Sequence, residues 1–416
     1  MLITQSPKGT EDLLPQDSYR WQYLEKSFKD VCDSFGYKEI RVPTFEHTEL
    51  FERGVGDTTD VVQKQMYTFL DKGGRSVTLR PEGTSSVARC FLQHSLYAQA
   101  MPLKMFYNAA CFRYENKQKG RLREFHQFGV EAFGSYGPSI DAEIISLALT
   151  FLKNVGLSDL SVNINSIGCP ECRKKYNEAL KEYFRPHLSE LCQTCNERFE
   201  RNPLRILDCK SPICGEIAKG APTILEYICD DCREHFTGLQ KYLDAMQIQY
   251  KIDTGIVRGL DYYTKTVFEI ISGPFTVCGG GRYDGMIEEF GGDSVPGIGF
   301  GLGIERLLIR LDDLGIEIPK EDGIDLYIAP LGDDARIFVQ KLVYDLRKQG
   351  ANVETDHMQR GLKAQMKYAN KIGARYSVVI GDDEIKNNVM NLKNMDSGDE
   401  EKVILNDIIS VIKEGR

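Results

Sequence analysis

Residues 103–134 read LKMFYNAACFRYENKQKGRLREFHQFGVEAFG. Leu103 to Glu115 and Leu122 to Glu131 are each strand-like, and a short basic loop, Asn116 to Arg121, joins them. Side chains alternate faces along a strand, so Arg113 and Glu115 share one face, and Phe125, Gln127, Gly129 and Glu131 share one on the partner. If those faces coincide, one surface carries a guanidinium, two carboxylates, an amide and an aromatic plate, with Gly129 leaving room. Such a surface suits a polar, phosphorylated ligand. The plainer reading is an exposed sheet face with ordinary cross-strand ion pairs. His126 points to the other side and reads as a packing residue.

Four further segments carry chemistry. Arg80-Pro81-Glu82-Gly83-Thr84 follows the strand-like Ser76 to Leu79, and its Pro and Gly force a turn presenting Glu82 and Thr84 together. A carboxylate beside a hydroxyl suits an ammonium group, although the string alone also reads as a plain turn. Val257-Arg258-Gly259-Leu260-Asp261-Tyr262-Tyr263 is the most specific string in the chain. Cys278-Gly279-Gly280-Gly281-Arg282-Tyr283-Asp284 lets backbone approach a ligand closely, because Gly has no Cβ. In the segment 297–308, GIGFGLGIERLL, every second residue is Gly up to Gly303, and Arg306 opens a helical pattern. The third glycine falls out of register for a dinucleotide fingerprint, whereas alternate glycines on one strand face make a flat slot for a base. No Walker-type phosphate loop is present.

Eight of the twelve cysteines lie between Cys169 and Cys232. Cys169-x2-Cys172-x19-Cys192-x2-Cys195 has four-thiolate zinc spacing, and Cys209-x4-Cys214-x14-Cys229-x2-Cys232 supplies a second set. Pairing is either sequential or interleaved, and a metal held this way is structural. Reduced thiols packed as small hydrophobes are the alternative.

A chain of 416 residues with 42% hydrophobic and 27% charged residues implies two or three domains. No apolar run reaches the roughly 18 residues that span a bilayer. The start, residues 1–8, lacks a charged stretch followed by an apolar one, so no secretory signal is read and a cytoplasmic protein is expected. A net charge of −9 argues against non-specific coating of nucleic acid, but phosphate contacts depend on local basic patches. One such patch is Arg360, Lys363, Lys367, Lys371 and Arg375, a stripe at helical spacing with no acid between Gln359 and Tyr376. A solvated helix face has the same spacing. Leu311 to Gly323 reads as a polar linker. Strands at Leu326 to Pro330, Asn352 to Glu354 and Tyr376 to Ile380 then alternate with helices at Ala335 to Gln349 and Lys363 to Ile372, the pattern of a small α/β domain.

Phe112-Arg113-Tyr114-Glu115, the loop Gln118-Lys119-Gly120-Arg121 and Phe125-His126-Gln127 resemble motif 2 of class II aminoacyl-tRNA synthetases in its histidyl form. The family has Arg-Pro after the glutamate, where this chain has Asn116-Lys117. The string 257–263 resembles the histidyl signature, residues 297–308 resemble motif 3, and Gly36 to Pro43 resemble motif 1, a dimer element. The resemblance runs from Pro7-Lys8-Gly9-Thr10-Glu11-Asp12 to the C-terminal domain.

The resemblance implies an α+β fold: an antiparallel-sheet catalytic core over 1–166 and 245–322, a Cys-rich, mainly helical insertion over 167–244, and an α/β anticodon-binding domain over 323–416. It implies a homodimer acting on L-histidine, ATP with Mg²⁺, and tRNA(His). Arg113 and Arg258 are then the catalytic residues, on the carboxylate and α-phosphate. Glu82, Gly83, Thr84, Gln127, Glu131, Tyr262 and Tyr263 join them around histidine. An imidazole needs a partner on each nitrogen, which Glu131 and a tyrosine hydroxyl supply. Glu115, Arg121, Phe125 and Arg306 join Arg113 on ATP. Gln118 and Arg123 face the tRNA acceptor end, and Arg360, Lys363, Lys367 and Lys371 the anticodon end. The zinc reading rests on cysteine spacing and not on the family. A rival with the same core is a catalytically silent regulatory subunit of ATP phosphoribosyltransferase, which typically lacks the anticodon domain and motif residues retained in this chain.

Overall fold

The computed structural model describes residues 4–56, 59–116, 118–209, 211–320 and 323–414. Residues 1–3, Lys117 of the hairpin loop, and Glu321 and Asp322 of the linker lie outside the described residues. The chain divides into two compact units, Met1–Pro319 and Lys320–Arg416.

The first unit is built on the hairpin Leu103–Phe112 and Glu124–Phe133, antiparallel with Cys111 opposite Phe125 and Met105 opposite Glu131. The strand ends at Phe112, short of the expected Glu115: the Arg113 amide still donates across the hairpin to the Arg123 carbonyl at 2.8 Å, but Tyr114 turns its amide to the Gln65 carbonyl at 2.7 Å. The hairpin belongs to an eight-stranded sheet. Its order is Lys38–Glu39, Leu103–Phe112, Glu124–Phe133, Gly297–Gly303, Phe275–Arg282, Thr264–Ser272, Leu160–Ser166 and Tyr250–Ile252. Pairing is parallel only at the two outer edges.

Alternation separates the two sheet faces. Phe128, Val130, Ile298, Phe300, Leu302, Phe268 and Ile270 face the helices Ser18–Ser34 and Pro138–Asn154, where Phe28 stacks on Phe128 at 4.4 Å and meets Phe151 edge-on. Each fully buried phenylalanine contributes about 1.5–3 kcal/mol, so this face anchors the sheet. The intervening residues face the opposite side, where Gln127, Gly299 and Gly301 line a cleft, while Gly129 is not left open as expected but is covered by Tyr107, and Glu131 is buried beneath. His126, on the packed side, meets the Trp21 ring edge at 4.9 Å and the Glu305 carboxylate at 3.0 Å.

Between the adjacent parallel strands Leu160–Ser166 and Tyr250–Ile252 the chain leaves the sheet for a mainly helical insertion. Its helices, Pro170–Phe184, Gln193–Arg201, Pro212–Ala218 and Asp230–Ala245, enclose a small core of Tyr176, Leu180, Phe184, Phe199, Ile206 and buried cysteines. The expected linker begins too early at Leu311. The helix Ile304–Asp313 takes the linker's first three residues, because Leu307, Leu308 and Leu311 form one buried stripe that outweighs the polar Asp312-Asp313 pair.

The second unit is a five-stranded mixed sheet in the order Val353–Thr355, Leu326–Pro330, Tyr376–Ile380, Val389–Asn394 and Glu400–Ile404. The first three strands are parallel and the last two add antiparallel. Leu326 and Ile328 pack against Val339 and Val343 of helix Asp333–Lys348. Their neighbours Tyr327 and Ala329 pack against Ala369 of helix Leu362–Lys371. No helix among the described residues is long and apolar enough to cross a membrane.

Candidate active site and cysteine clusters

The cleft over the first unit's sheet has a volume of about 570 Å³. Strand alternation, the turn before helix Thr84–Gln93, and the loop leading into strand Thr264–Ser272 bring to it Glu82, Thr84, Arg113, Glu115, Arg121, Phe125, Gln127, Arg258, Tyr262, Tyr263 and Arg306. Its two ends differ in charge.

Glu82 marks the anionic end, and beneath it, fully buried and outside the cleft lining, lies Glu131. Its carboxylate accepts hydrogen bonds from the hydroxyls of Thr84 at 2.7 Å, Tyr107 at 3.2 Å and Tyr283. Burial pushes its carboxyl up to about 8, against the pull of those hydroxyls. Glu82 is also buried, and its carboxylate accepts the backbone N–H groups of Thr84 at 2.7 Å and Ser85 at 2.9 Å, where the positive end of a helix favours an anion. Gly83 does not line the cleft. It lies under Tyr107, which a Cβ would meet at 2.4 Å.

The cationic end gathers Arg113, Arg121 and Arg306. Arg113 donates to the Pro81 carbonyl at 2.8 Å and lies 5.4 Å from the Phe125 ring centre. Glu115 is 3.4 Å from Arg121 and 4.0 Å from Arg113. Arg306 donates to the Gly120 carbonyl at 3.1 Å. Burial, followed by the repulsion of Arg121 and Arg113, holds its guanidinium below the ordinary arginine value. Such crowding of like charge stores affinity for a polyanion.

Arg258 stands between the ends, paired with Glu269 at 2.5 Å and 5.8 Å from the Tyr263 ring centre. Its Nε is buried without a hydrogen-bond partner. A Cβ at Gly279 would lie 2.5 Å from its guanidinium, so Arg258 itself fills the close approach expected for a ligand. The alternating glycines are likewise only partly a slot. Tyr283 and Glu131 occupy the space over Gly297 and Gly299, while the surface over Gly303 is open.

Tyr107 and Tyr283, the hydroxyl donors to Glu131, did not emerge from the sequence reading. Counting back from Arg113 by twos reaches Tyr107, and Tyr283 lies within the glycine-rich string 278–284. Gln118 is exposed on the hairpin loop, paired with Arg121 through backbone. Arg123 does not reach the cleft; its guanidinium stacks on Tyr114 at 3.8 Å. In the second unit Lys363, Lys367 and Lys371 are exposed along one helix. Arg360 is bound to Asp356 at 2.9 Å and stacked on Tyr368 at 4.4 Å. Arg375 is tied to Asp325 at 3.4 Å.

The cysteines form two clusters, Cys169, Cys172, Cys229 and Cys232, and Cys192, Cys195, Cys209 and Cys214, with the sulfurs of each within 4.8 Å of one another. The sequential pairing is therefore wrong. The first and last pairs join around the middle four because helices Pro170–Phe184 and Asp230–Ala245 start side by side at the base of the insertion. Cys169, Cys192 and Cys229 each cap a helix whose first turn holds Cys172, Cys195 or Cys232. Backbone N–H groups point at sulfur, Cys229 to Cys172 at 3.1 Å and Cys192 to Cys214 at 3.3 Å.

The histidyl-tRNA synthetase family model matches residues 9–307, and the anticodon binding domain model matches residues 325–415. A histidine–tRNA ligase of Acetivibrio thermocellus is 56% identical over 99% of this chain and 100% of its own. One from Clostridium novyi is 59% identical over 98% of each. The crystal structure of the apo histidyl-tRNA synthetase of S. aureus matches with a TM-score of 0.85 at 40% identity, over 99% of this chain and 100% of that one. The chain belongs to the histidyl-tRNA synthetase family.

Proposed function

We propose that the two ends of the cleft hold histidine and ATP for adenylation, with the amino acid at the Glu131 end. The family's reaction is histidine–tRNA ligation, and the chain is a ligase whose substrates are histidine, ATP and tRNA. The observation that carries the assignment of ends is the placement of the buried Glu82 at one end and of Arg113, Arg121 and Arg306 at the other.

In this reading Glu82 and Thr84 receive the α-ammonium group. The imidazole lies among Glu131 and the tyrosine hydroxyls, with Gln127, Tyr262 and Tyr263 around it. The histidine carboxylate lies between Arg113 and Arg258, and the partnerless Nε of Arg258 suits an incoming oxygen. Phe125 and Arg306 flank the base, and Glu115 and Arg121 the phosphates. Mg²⁺ accompanies ATP and neutralises phosphate charge.

A carboxylate oxygen of histidine attacks the α-phosphorus, and the bond from that phosphorus to pyrophosphate breaks. Negative charge on the α-phosphate oxygens is met by Arg113 and Arg258. A ribose hydroxyl at the tRNA 3′ end then attacks the histidyl carbonyl, and AMP leaves. Positioning and electrostatics supply the catalysis, and no side-chain nucleophile is needed.

The finer parts of the reading follow the same lines. Gln118 and Arg123 lie on the acceptor side, and Arg360, Lys363, Lys367 and Lys371 on the anticodon side. Two chains associate through the edge segment at Lys38–Glu39, whose side chains are exposed, in a cytoplasmic homodimer. Structural zinc fits the cysteines, since Zn–S bonds of about 2.3 Å place tetrahedral sulfurs about 3.8 Å apart, and Cys192 and Cys209 are 3.8 Å apart. Labelled histidine should become acid-precipitable on tRNA(His) only with ATP and the enzyme. Transfer of another amino acid in its place would overturn the reading.

A further inference from the structure

The insertion grips the Arg258–Tyr263 segment from outside the cleft. Arg205, in the turn Pro203–Ile206 between Cys195 and Cys209, pairs with the Asp261 carboxylate at 3.1 Å. Asn202 donates to the same oxygen at 3.3 Å, and Arg173, next to Cys172, donates to the Asp261 carbonyl at 3.2 Å. Asp231, next to Cys232, pairs with Lys265 at 2.9 Å, and the Lys265 amide donates to the Gly168 carbonyl at 2.9 Å. Arg173, Asp231 and Gly168 each adjoin a cluster cysteine, and Asn202 and Arg205 lie in the short stretch between Cys195 and Cys209.

Helix Asp230–Ala245 is anchored in the main core by Phe236, Leu239 and Leu243, but the middle of the insertion, which carries Asn202 and Arg205, rests on its own small core. Among the described residues the insertion's own apolar core is one small cluster, and the helices that carry the inner cysteines, Gln193–Arg201 and Pro212–Ala218, are short. Scaffolds of this size need a staple beyond their core, commonly a metal. The outer cluster closes the insertion where it leaves and rejoins the sheet, and the inner cluster fixes the turn that carries Asn202 and Arg205.

We propose that the two clusters bind one zinc ion each, in nested pairing, and so make the insertion a clamp on Asp261 that positions Arg258 and Tyr262 for histidine. The inference rests on the reading of that segment as part of the histidine site. Asp261 and Arg205 are positioning residues and touch no substrate.

Two measurements on the full chain test it. Metal analysis after purification with zinc and reductant should give two zinc ions per chain. The Cys192→Ser/Cys209→Ser variant removes two ligands of one cluster if pairing is nested, leaving one zinc, but would disarm both sites and leave none if pairing were sequential. Should that variant not fold, thiolate-to-cobalt absorbance of Co²⁺-loaded wild type should saturate at two equivalents. Saturation at fewer, or zinc absent from folded wild type, overturns the sites. Arg205→Ala should keep two zinc ions and raise the histidine KM roughly three- to tenfold with the ATP KM unchanged, and Arg205→Lys should recover part of the loss. An unchanged histidine KM in a two-zinc Arg205→Ala protein overturns the clamp. Wild type without histidine-dependent exchange would instead strike the reading of the cleft and leave the zinc count standing.

Discussion

The Thr84 hydroxyl donates a 2.7 Å hydrogen bond to the buried Glu131 carboxylate. That bond ties the turn carrying Glu82 to the strand that floors the cleft, so the groups read as ammonium and imidazole sites move as one body. The same carboxylate also accepts from Tyr107 and Tyr283. Such a buried, mutually bonded cluster holds its hydroxyls in fixed positions, which preorganises the cleft wall formed by Thr84, Tyr107 and Tyr283.

Glu131→Gln tests this cluster. Burial raises the folded carboxyl to about 8, above the unfolded value near 4.3, so the folded state binds the extra proton between those pH values. Wild-type stability relative to the variant therefore falls as pH rises from about 5 to 8, and levels off above. Melting temperatures of both proteins at pH 5.5, 7 and 8.5 should show the gap shifting in the variant's favour. The histidine KM of the variant should rise about tenfold or more.

Gly279→Ala tests the placement of Arg258. A Cβ there would lie 2.5 Å from the guanidinium, the free end of a flexible side chain, so the arginine moves and the fold survives. Histidine-dependent exchange should drop at least about tenfold while the melting temperature changes by only a few degrees. Exchange at the wild-type rate would remove Arg258 from the reacting centre.

Asp141 and Arg282 test the frame beneath the cleft. Both are wholly buried and 2.7 Å apart, with His235 2.8 Å from the same carboxylate. Asp141→Ala strands a buried cation and should cost about 3–5 kcal/mol, read by denaturant unfolding of the first transition. Burial alone would raise the Asp141 carboxyl, but Arg282 and His235 outweigh it and hold it below the ordinary range. Its contribution is therefore full above about pH 4 and lost as pH falls further.

The lysine stripe is tested by Lys363→Glu, Lys367→Glu and Lys371→Glu together. All three are exposed on one helix, so the fold should tolerate the change. Affinity for tRNA should fall, and the salt dependence of binding should flatten by about one unit of slope per lost phosphate contact. Amino-acid activation should stay at the wild-type rate.

Much of this site is legible in the sequence because strand alternation is a strict rule. Arg113, Phe125 and Gln127 line the cleft for that reason, Glu131 lies buried on the same face, and His126 points to the other side. Other parts depend on tertiary packing. The cysteine spacing is compatible with either pairing, and only the adjacent helix starts make it nested. Leu311 reads as linker because two aspartates follow it, although its side chain completes a buried stripe. The partners of Asp261 come from a segment more than fifty residues away, and no local pattern announces them.

The most direct test is ATP–pyrophosphate exchange across the twenty amino acids, with Arg258→Ala beside wild type. The cleft as described predicts exchange with histidine alone, lost in the variant. Exchange with no amino acid from folded, ATP-binding protein, or histidine exchange undiminished in Arg258→Ala, would contradict it.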